Sequence, residues 1–239
     1  FFSLFHAVSA FANCGFDLMG GYRSLTGMPT DYLVNGTLMF LFIVGGLGFP
    51  VIFDLYQNRR RLSRVTLHTR MVVIITAVLL LSGTLAILAL EYNNPETMGV
   101  LSPGGKLFTA FFTAAAPRTA GFSVLDNAGL LLPTQLLIIL LMFIGASPAS
   151  TGGGVKTTTL ALVVIAMVAV IRGRREPVLM KRRLALTQVL KAVTILVMAA
   201  GLIFTTTLIL TIMENHDFMD LLFEAVSAFG TVGLSIGIT

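Results

Sequence analysis

Four long apolar stretches alternate with polar segments along the chain: Tyr32–Leu55, Met71–Leu90, Gln135–Ile171 and Val189–Met213. A helix needs about 20 apolar residues, at ~1.5 Å each, to cross ~30 Å of hydrocarbon. Each stretch is therefore predicted to span a bilayer as a helix. The third is too long for one crossing, and its middle (residues 145–159) contains Gly145, Ser147, Pro148, Ser150, Thr151, Gly152, Gly153, Gly154 and Lys156. Glycines and proline weaken a helix interior. Inside a bilayer, broken backbone persists only where protein or a wet cavity satisfies its polar groups. The pattern predicts a helix interrupted beside something polar.

Three shorter apolar runs, Phe2–Phe11, Leu107–Ala116 and Phe218–Phe229, are too short to span and read as re-entrant helices. Each ends in a turn of small residues, and the order of span, short helix, turn and span is that of a pore-loop unit. The units repeat. Residues 5–16 align with residues 223–234, and Ala-Val-Ser-Ala-Phe is identical at Ala7–Phe11 and Ala225–Phe229. A weaker third copy covers residues 111–122. All three place a glycine at the same point: Gly15, Gly121 and Gly233, spaced 106 and 112 residues apart.

Composition fixes the solvent. Hydrophobic residues make up 56% of the 239 residues, only 11% are charged, and the mean hydropathy is +0.91. A soluble domain of this length needs a larger polar shell; membrane lipid is the expected surrounding. The formal charge of +5 does not point to nucleic acid, because the basic residues lack interleaved aromatic platforms. Most of them fall in two clusters between apolar runs: Arg59, Arg60, Arg61, Arg64 and Arg70, then Arg172, Arg174, Arg175, Lys181, Arg182, Arg183 and Lys191. The positive-inside rule puts both clusters in the cytoplasm. Glu91, Glu96, Asp126, Glu214, Asp217 and Asp220 then lie outside. The one cysteine, Cys14, excludes an intrachain disulfide and a cysteine zinc site.

A dehydrated cation needs oxygens in place of its water, and stacked main-chain carbonyls supply them at membrane depth. Glycine lets a carbonyl turn inward by taking backbone angles closed to other residues. The candidate ion-filter residues are Asn13, Cys14, Gly15 and Phe16; Thr119, Ala120, Gly121 and Phe122; and Thr231, Val232, Gly233 and Leu234. Taken singly, each glycine reads as a helix-packing residue; three in register favour the filter.

The segments Ser9–Phe16, Pro117–Ser123, Ser227–Ser235 and Gly145–Thr159 resemble the Trk/Ktr/HKT superfamily of potassium transporters, most closely its Ktr-type membrane subunit, across essentially the whole chain. The resemblance implies an all-α integral membrane fold of pseudo-fourfold helix–pore loop–helix repeats. The second repeat would then occupy 1–56, the third, with its broken inner helix, 57–171, and the fourth, up to its filter, 172–239. The first repeat and the last inner helix would lie outside the chain, and a piece of this extent is not expected to conduct alone. The resemblance further implies a gate at Gly145, Ser147, Ser150, Thr151, Gly152, Gly153, Gly154 and Lys156, beneath the filter. A lysine there could repel cations or tie the loop to carbonyls. The cargo would be potassium, or sodium, with no organic cofactor. Ktr-type subunits are homodimers on a cytoplasmic nucleotide-binding regulatory ring, so both partners are implied. The bacterial plasma membrane is the implied location.

Other features carry less. Arg118 could brace the second turn against carbonyls or a carboxylate, or snorkel at a surface. His6 and Glu224 occupy equivalent places in their short helices. Gly45, Gly46 and Gly48 suggest a close helix contact or a kink. Residues 152–157 fail as a nucleotide loop, since no glycine precedes Lys156 and no strand precedes the loop. His6, His68 and His216 are scattered, so no catalytic constellation emerges and an enzyme is not expected. A coupled secondary transporter would usually carry inverted repeats, whereas these run in one direction.

Overall fold

The computed structural model describes residues 1–21, 23–61, 64–173, 178–179 and 182–238. Arg174, Arg175 and Lys181 of the second basic cluster lie outside the described residues. The elements run α1 (Phe2–Phe11), α2 (Tyr32–Leu47), α3 (Phe49–Gln57), α4 (Leu67–Glu91), α5 (Pro103–Ala115), α6 (Leu132–Phe143), α7 (Thr157–Ile171), β1 (Val178–Leu179), β2 (Arg182–Arg183), α8 (Leu186–Met213) and α9 (Phe218–Gly230). Among the described residues the fold is all-α apart from the two-residue antiparallel pairing of β1 with β2 and an isolated bridge between Ile144 and Val155.

Among the described residues, α4 and α8 are each long and apolar enough to cross a membrane unaided, at 25 and 28 residues. Both begin a few residues before their predicted starts. For α4 the cause is local: Thr66 Oγ1 caps the helix by accepting from Thr69 N at 3.3 Å. Asp54 on α3 holds that cap, accepting from Thr66 N at 2.9 Å and from its hydroxyl at 2.8 Å. The carboxylate thus ties α3 to α4 across the first basic turn.

The predicted span Tyr32–Leu55 is not one straight helix. It breaks at Gly48, where α2 and α3 bend by 94°. Gly48 takes φ +89°, and a Cβ there would stand 2.8 Å from Pro148 O. Contact with a segment 100 residues away therefore adds to the left-handed angle in making this a glycine position. The Gln135–Ile171 stretch is interrupted as its composition suggests, with α6 and α7 separated by residues 144–156.

The core sits where the short helices meet the spans. Phe112 on α5, Phe223 on α9, Phe122 after α5, and Ile138 and Met142 on α6 are fully buried. Close approach needs small residues: a Cβ on Gly83 of α4 would lie 3.2 Å from Ala114 Cβ on α5. The outside is apolar. Leu33, Leu85, Val197, Phe204 and Ile212 are all more than half exposed, a surface that water would penalise and lipid accepts.

Glu91, at the outer end of α4, is fully buried. Its carboxylate accepts from Asn94 Nδ2 (2.7 Å), Thr97 Oγ1 (2.6 Å) and Leu131 N (2.9 Å), locking the α4–α5 connection to the start of α6. Sequence alone placed Glu91 among the outer acids.

Candidate functional site

Three turns follow α1, α5 and α9 and share one backbone path. Asn13, Thr119 and Thr231 have φ of 52°, 71° and 53°, and Gly15, Gly121 and Gly233 have φ of 72°, 75° and 86°. Each turn thus has a left-handed residue, an ordinary one, then a left-handed glycine. Left-handed angles in non-glycine residues are costly, so their recurrence at Asn13, Thr119 and Thr231, each two residues before a left-handed glycine, is a built feature.

The turns meet. A Cβ on Gly15 would stand 2.9 Å from Gly121 Cα and 3.0 Å from Ala120 O, and one on Gly121 would collide with Val232 O. On Gly233 it would be 3.9 Å from Gly121 Cα. The second turn therefore sits between the other two, with the carbonyls of Ala120 and Val232 beside the neighbouring glycine. The Asn13 amide links the first turn to the second, 3.1 Å from Thr119 Oγ1. With its oxygen accepting from that hydroxyl, its nitrogen donates to Ala10 O (3.2 Å) and Phe42 O (3.1 Å).

Burial follows this arrangement. Thr119, Ala120, Gly121 and Phe122 are buried, as are Asn13, Val232 and Leu234. Cys14, Phe16, Thr231 and Gly233 are exposed. A cavity of about 500 Å³ opens beside the first and third turns, lined by Cys14, Thr206, Leu210, Thr231, Gly233 and Glu224, among others.

Side chains of the short helices brace the turns. Ser9 Oγ donates to Phe16 O at 2.7 Å and Ser227 Oγ to Leu234 O at 2.6 Å, each seven residues ahead. These serines belong to the duplicated pentapeptide, so the signal was available; the middle unit has Ala115 at that place. Among the described residues Arg118 meets no carboxylate, and it is no surface arginine. It is buried, and its guanidinium donates to Thr76 Oγ1 on α4 at 3.3 Å.

The interrupted segment lies directly against these turns. A Cβ on Gly152 would collide with Thr119 Oγ1, and one on Gly153 with Thr231 Oγ1. Thr151 Oγ1 donates to Phe11 O at 3.3 Å. One loop therefore touches the ends of all three short helices or their turns. Its shape is held from within. Lys156 Nζ donates to Gly152 O at 2.6 Å, so it ties the loop to a carbonyl. Ala146 N donates to Gly153 O at 3.2 Å and Val155 N to Phe143 O at 3.2 Å. Ser150 Oγ donates to Ser147 O at 2.6 Å, and the buried Ser147 hydroxyl accepts from Thr157 Oγ1 at 3.3 Å. A Cβ on Gly145 would collide with Gly153 O. On the far side, Ser147 N donates to Gly46 O at 3.1 Å, which anchors the loop on α2.

Three glycine turns thus lie side by side, with a glycine-rich loop packed against the ends of their helices. Residues 1–239 match the TrkH family, described as a cation transport protein. The chain is similar to Ktr system potassium uptake protein B of Bacillus subtilis, 42% identical over the whole chain and 53% of that protein. Potassium/sodium uptake protein NtpJ of Enterococcus hirae is 35% identical over the whole chain and 53% of its own length. The chain spans about half the length of the curated relatives it matches. Among solved structures, the potassium transporter TrkH from Vibrio parahaemolyticus has the same fold. Its TM-score is 0.74 at 21% identity, over 98% of this chain and 50% of that one.

Proposed function

Because this chain belongs to the TrkH family of cation transport proteins, we propose that its three glycine turns form most of a selectivity filter through which potassium crosses the membrane. The observation that supports this best is the matched left-handed geometry of Gly15, Gly121 and Gly233 and their mutual approach. Main-chain oxygens of Cys14, Gly15 and Phe16, of Ala120, Gly121 and Phe122, and of Val232, Gly233 and Leu234 replace the ion's water. Asn13, Thr119 and Thr231 shape the inner end. The cavity beside Cys14 and Gly233 is where a fourth unit of the pseudo-fourfold arrangement would close the ring.

Residues 145–156 act as the gate. They pack against Phe11 O, Thr119 and Thr231, where the path leaves the filter, so an ion cannot pass until the loop moves. Lys156 holds the loop shut through Gly152 O. The basic loops face the cytoplasm of a bacterial cell. The Ktr-named relative is the uptake protein of a system, consistent with a homodimer on a cytoplasmic nucleotide-binding regulatory ring. The Enterococcus relative's name supports sodium as a second cargo.

The test is rubidium uptake by potassium-uptake-deficient bacteria expressing the complete transporter that carries this chain. Saturable uptake, inhibited by potassium and weakly by sodium, is expected. Uptake no faster than in cells without the transporter contradicts the proposal.

A further inference from the structure

His6 and Glu224 do the same work with different chemistry. His6 lies on α1 and Glu224 at the equivalent position of α9. The His6 ring is nearly fully buried. Its Nε2 lies 3.2 Å from Leu18 N, twelve residues ahead, and its Nδ1 lies 2.8 Å from Phe2 O. Glu224 Oε1 accepts from Ile236 N at 2.9 Å, also twelve residues ahead, and from Ser235 Oγ at 2.6 Å. In both units one side chain of the short helix captures the backbone N–H two residues beyond the residue whose carbonyl Ser9 or Ser227 holds. Each turn is thereby pinned at its outer exit.

The two acceptors differ in one respect. With Phe2 O taking the Nδ1 proton, His6 must be neutral for Nε2 to accept from Leu18 N. A protonated imidazole presents a second N–H to a backbone N–H and cannot hold it. Imidazole is the side chain whose ordinary titration falls between about pH 5 and 8. The helix packed on α1 is α2, whose one ionisable side chain, Tyr32, packs against Phe108. In the following loop, the Asp17 carboxylate accepts from Met19 N at 2.9 Å, and the Cys14 thiol points to Ala12 O. The rings of Phe2 and Phe5 pack against the imidazole at centroid distances of 4.3 and 5.7 Å.

We propose that His6 and Glu224 are equivalent positioning residues for the outer ends of the first and third turns, and that His6 makes the first turn's hold sensitive to acid. The proposal rests on the filter reading above. When His6 is protonated, Leu18 is released, the first turn loosens and conduction falls; when it is neutral, the turn is held.

The experiment is rubidium uptake by the complete transporter between external pH 7.5 and 5.5, with potassium and sodium as competitors. The wild type is expected to lose roughly two- to tenfold of its uptake on acidification, the weight of one hydrogen bond. His6→Glu installs the third unit's own acceptor, whose ordinary titration near pH ~4.3 lies below this window. It is expected to retain uptake and show a flat profile. His6→Ala is expected to be weakly active, poorly selective and equally flat. A flat wild-type profile with healthy uptake overturns the proposal and leaves the filter reading standing. So does a His6→Glu protein that folds, by thermal melting in detergent, yet keeps the acid loss or fails to conduct. Absence of rubidium uptake by the wild type at every pH defeats the filter reading itself.

Discussion

Gly121→Ala isolates the contact between turns. At φ +75° an alanine pays about 1–2 kcal/mol for the left-handed angle alone. Its methyl would also overlap Val232 O and stand 2.9 Å from Gly15 Cα. Carbon pairs are comfortable at ~3.5–4.0 Å, so the neighbouring turns would have to retreat by roughly 0.6–1 Å. Carbonyls that stand in for a hydration shell lose their fit under such a shift. Rubidium uptake is expected to drop at least about tenfold, as ~1.4 kcal/mol would produce, and sodium should compete better with what remains. Gly104→Ala is the control, since a Cβ there meets nothing within 4 Å and its φ is ordinary. A Gly121→Ala transporter with uptake within twofold of wild type, and the same ion preference, would refute the reasoning.

Other perturbations probe separate parts. Deleting Gly152–Gly154 should remove the packing on Thr119 and Thr231 and raise unregulated rubidium leak, and Lys156→Met, which frees Gly152 O, should do so more weakly; unchanged leak in both would remove the gate. Glu91→Ala strands three donors, at about 1–3 kcal/mol for each one left unsatisfied, so the melting temperature in detergent should fall clearly and Glu91→Gln should fall less. Gly45→Ala would drive a methyl into Phe11 O, and should lower stability and uptake together, whereas Gly201→Ala inside α8, with open space around it, should leave uptake unchanged and stability equal or higher.

Much of this architecture was legible because lipid imposes simple rules. Phe2–Phe11 was bounded correctly from its apolar run, and Phe218–Phe229 to within one residue, since each is a short apolar block that closes in a turn of small and polar residues. The start of α5 was placed four residues late: Ser102 caps the helix and Pro103 opens it, but Gly104, Gly105 and Lys106 hide the apolar pattern there. The Gly48 bend was readable only as a close helix contact or a kink, because its partner is the carbonyl of Pro148 in a distant loop. Arg118 was placed beside the second turn, but Thr76 as its partner could not be read, since no local pattern couples α4 to that loop. The shared approach of Gly15, Gly121 and Gly233 was foreseeable from their register; the carbonyls that face each glycine were not.

The most direct measurement is anomalous scattering from rubidium or thallium soaked into crystals of the complete transporter. Density should appear on the line between Gly15, Gly121 and Gly233, within coordination distance of their main-chain oxygens and above the loop at Gly152. Ion density confined to other sites, with these turns empty in a transporter that still takes up rubidium, would contradict the proposed path.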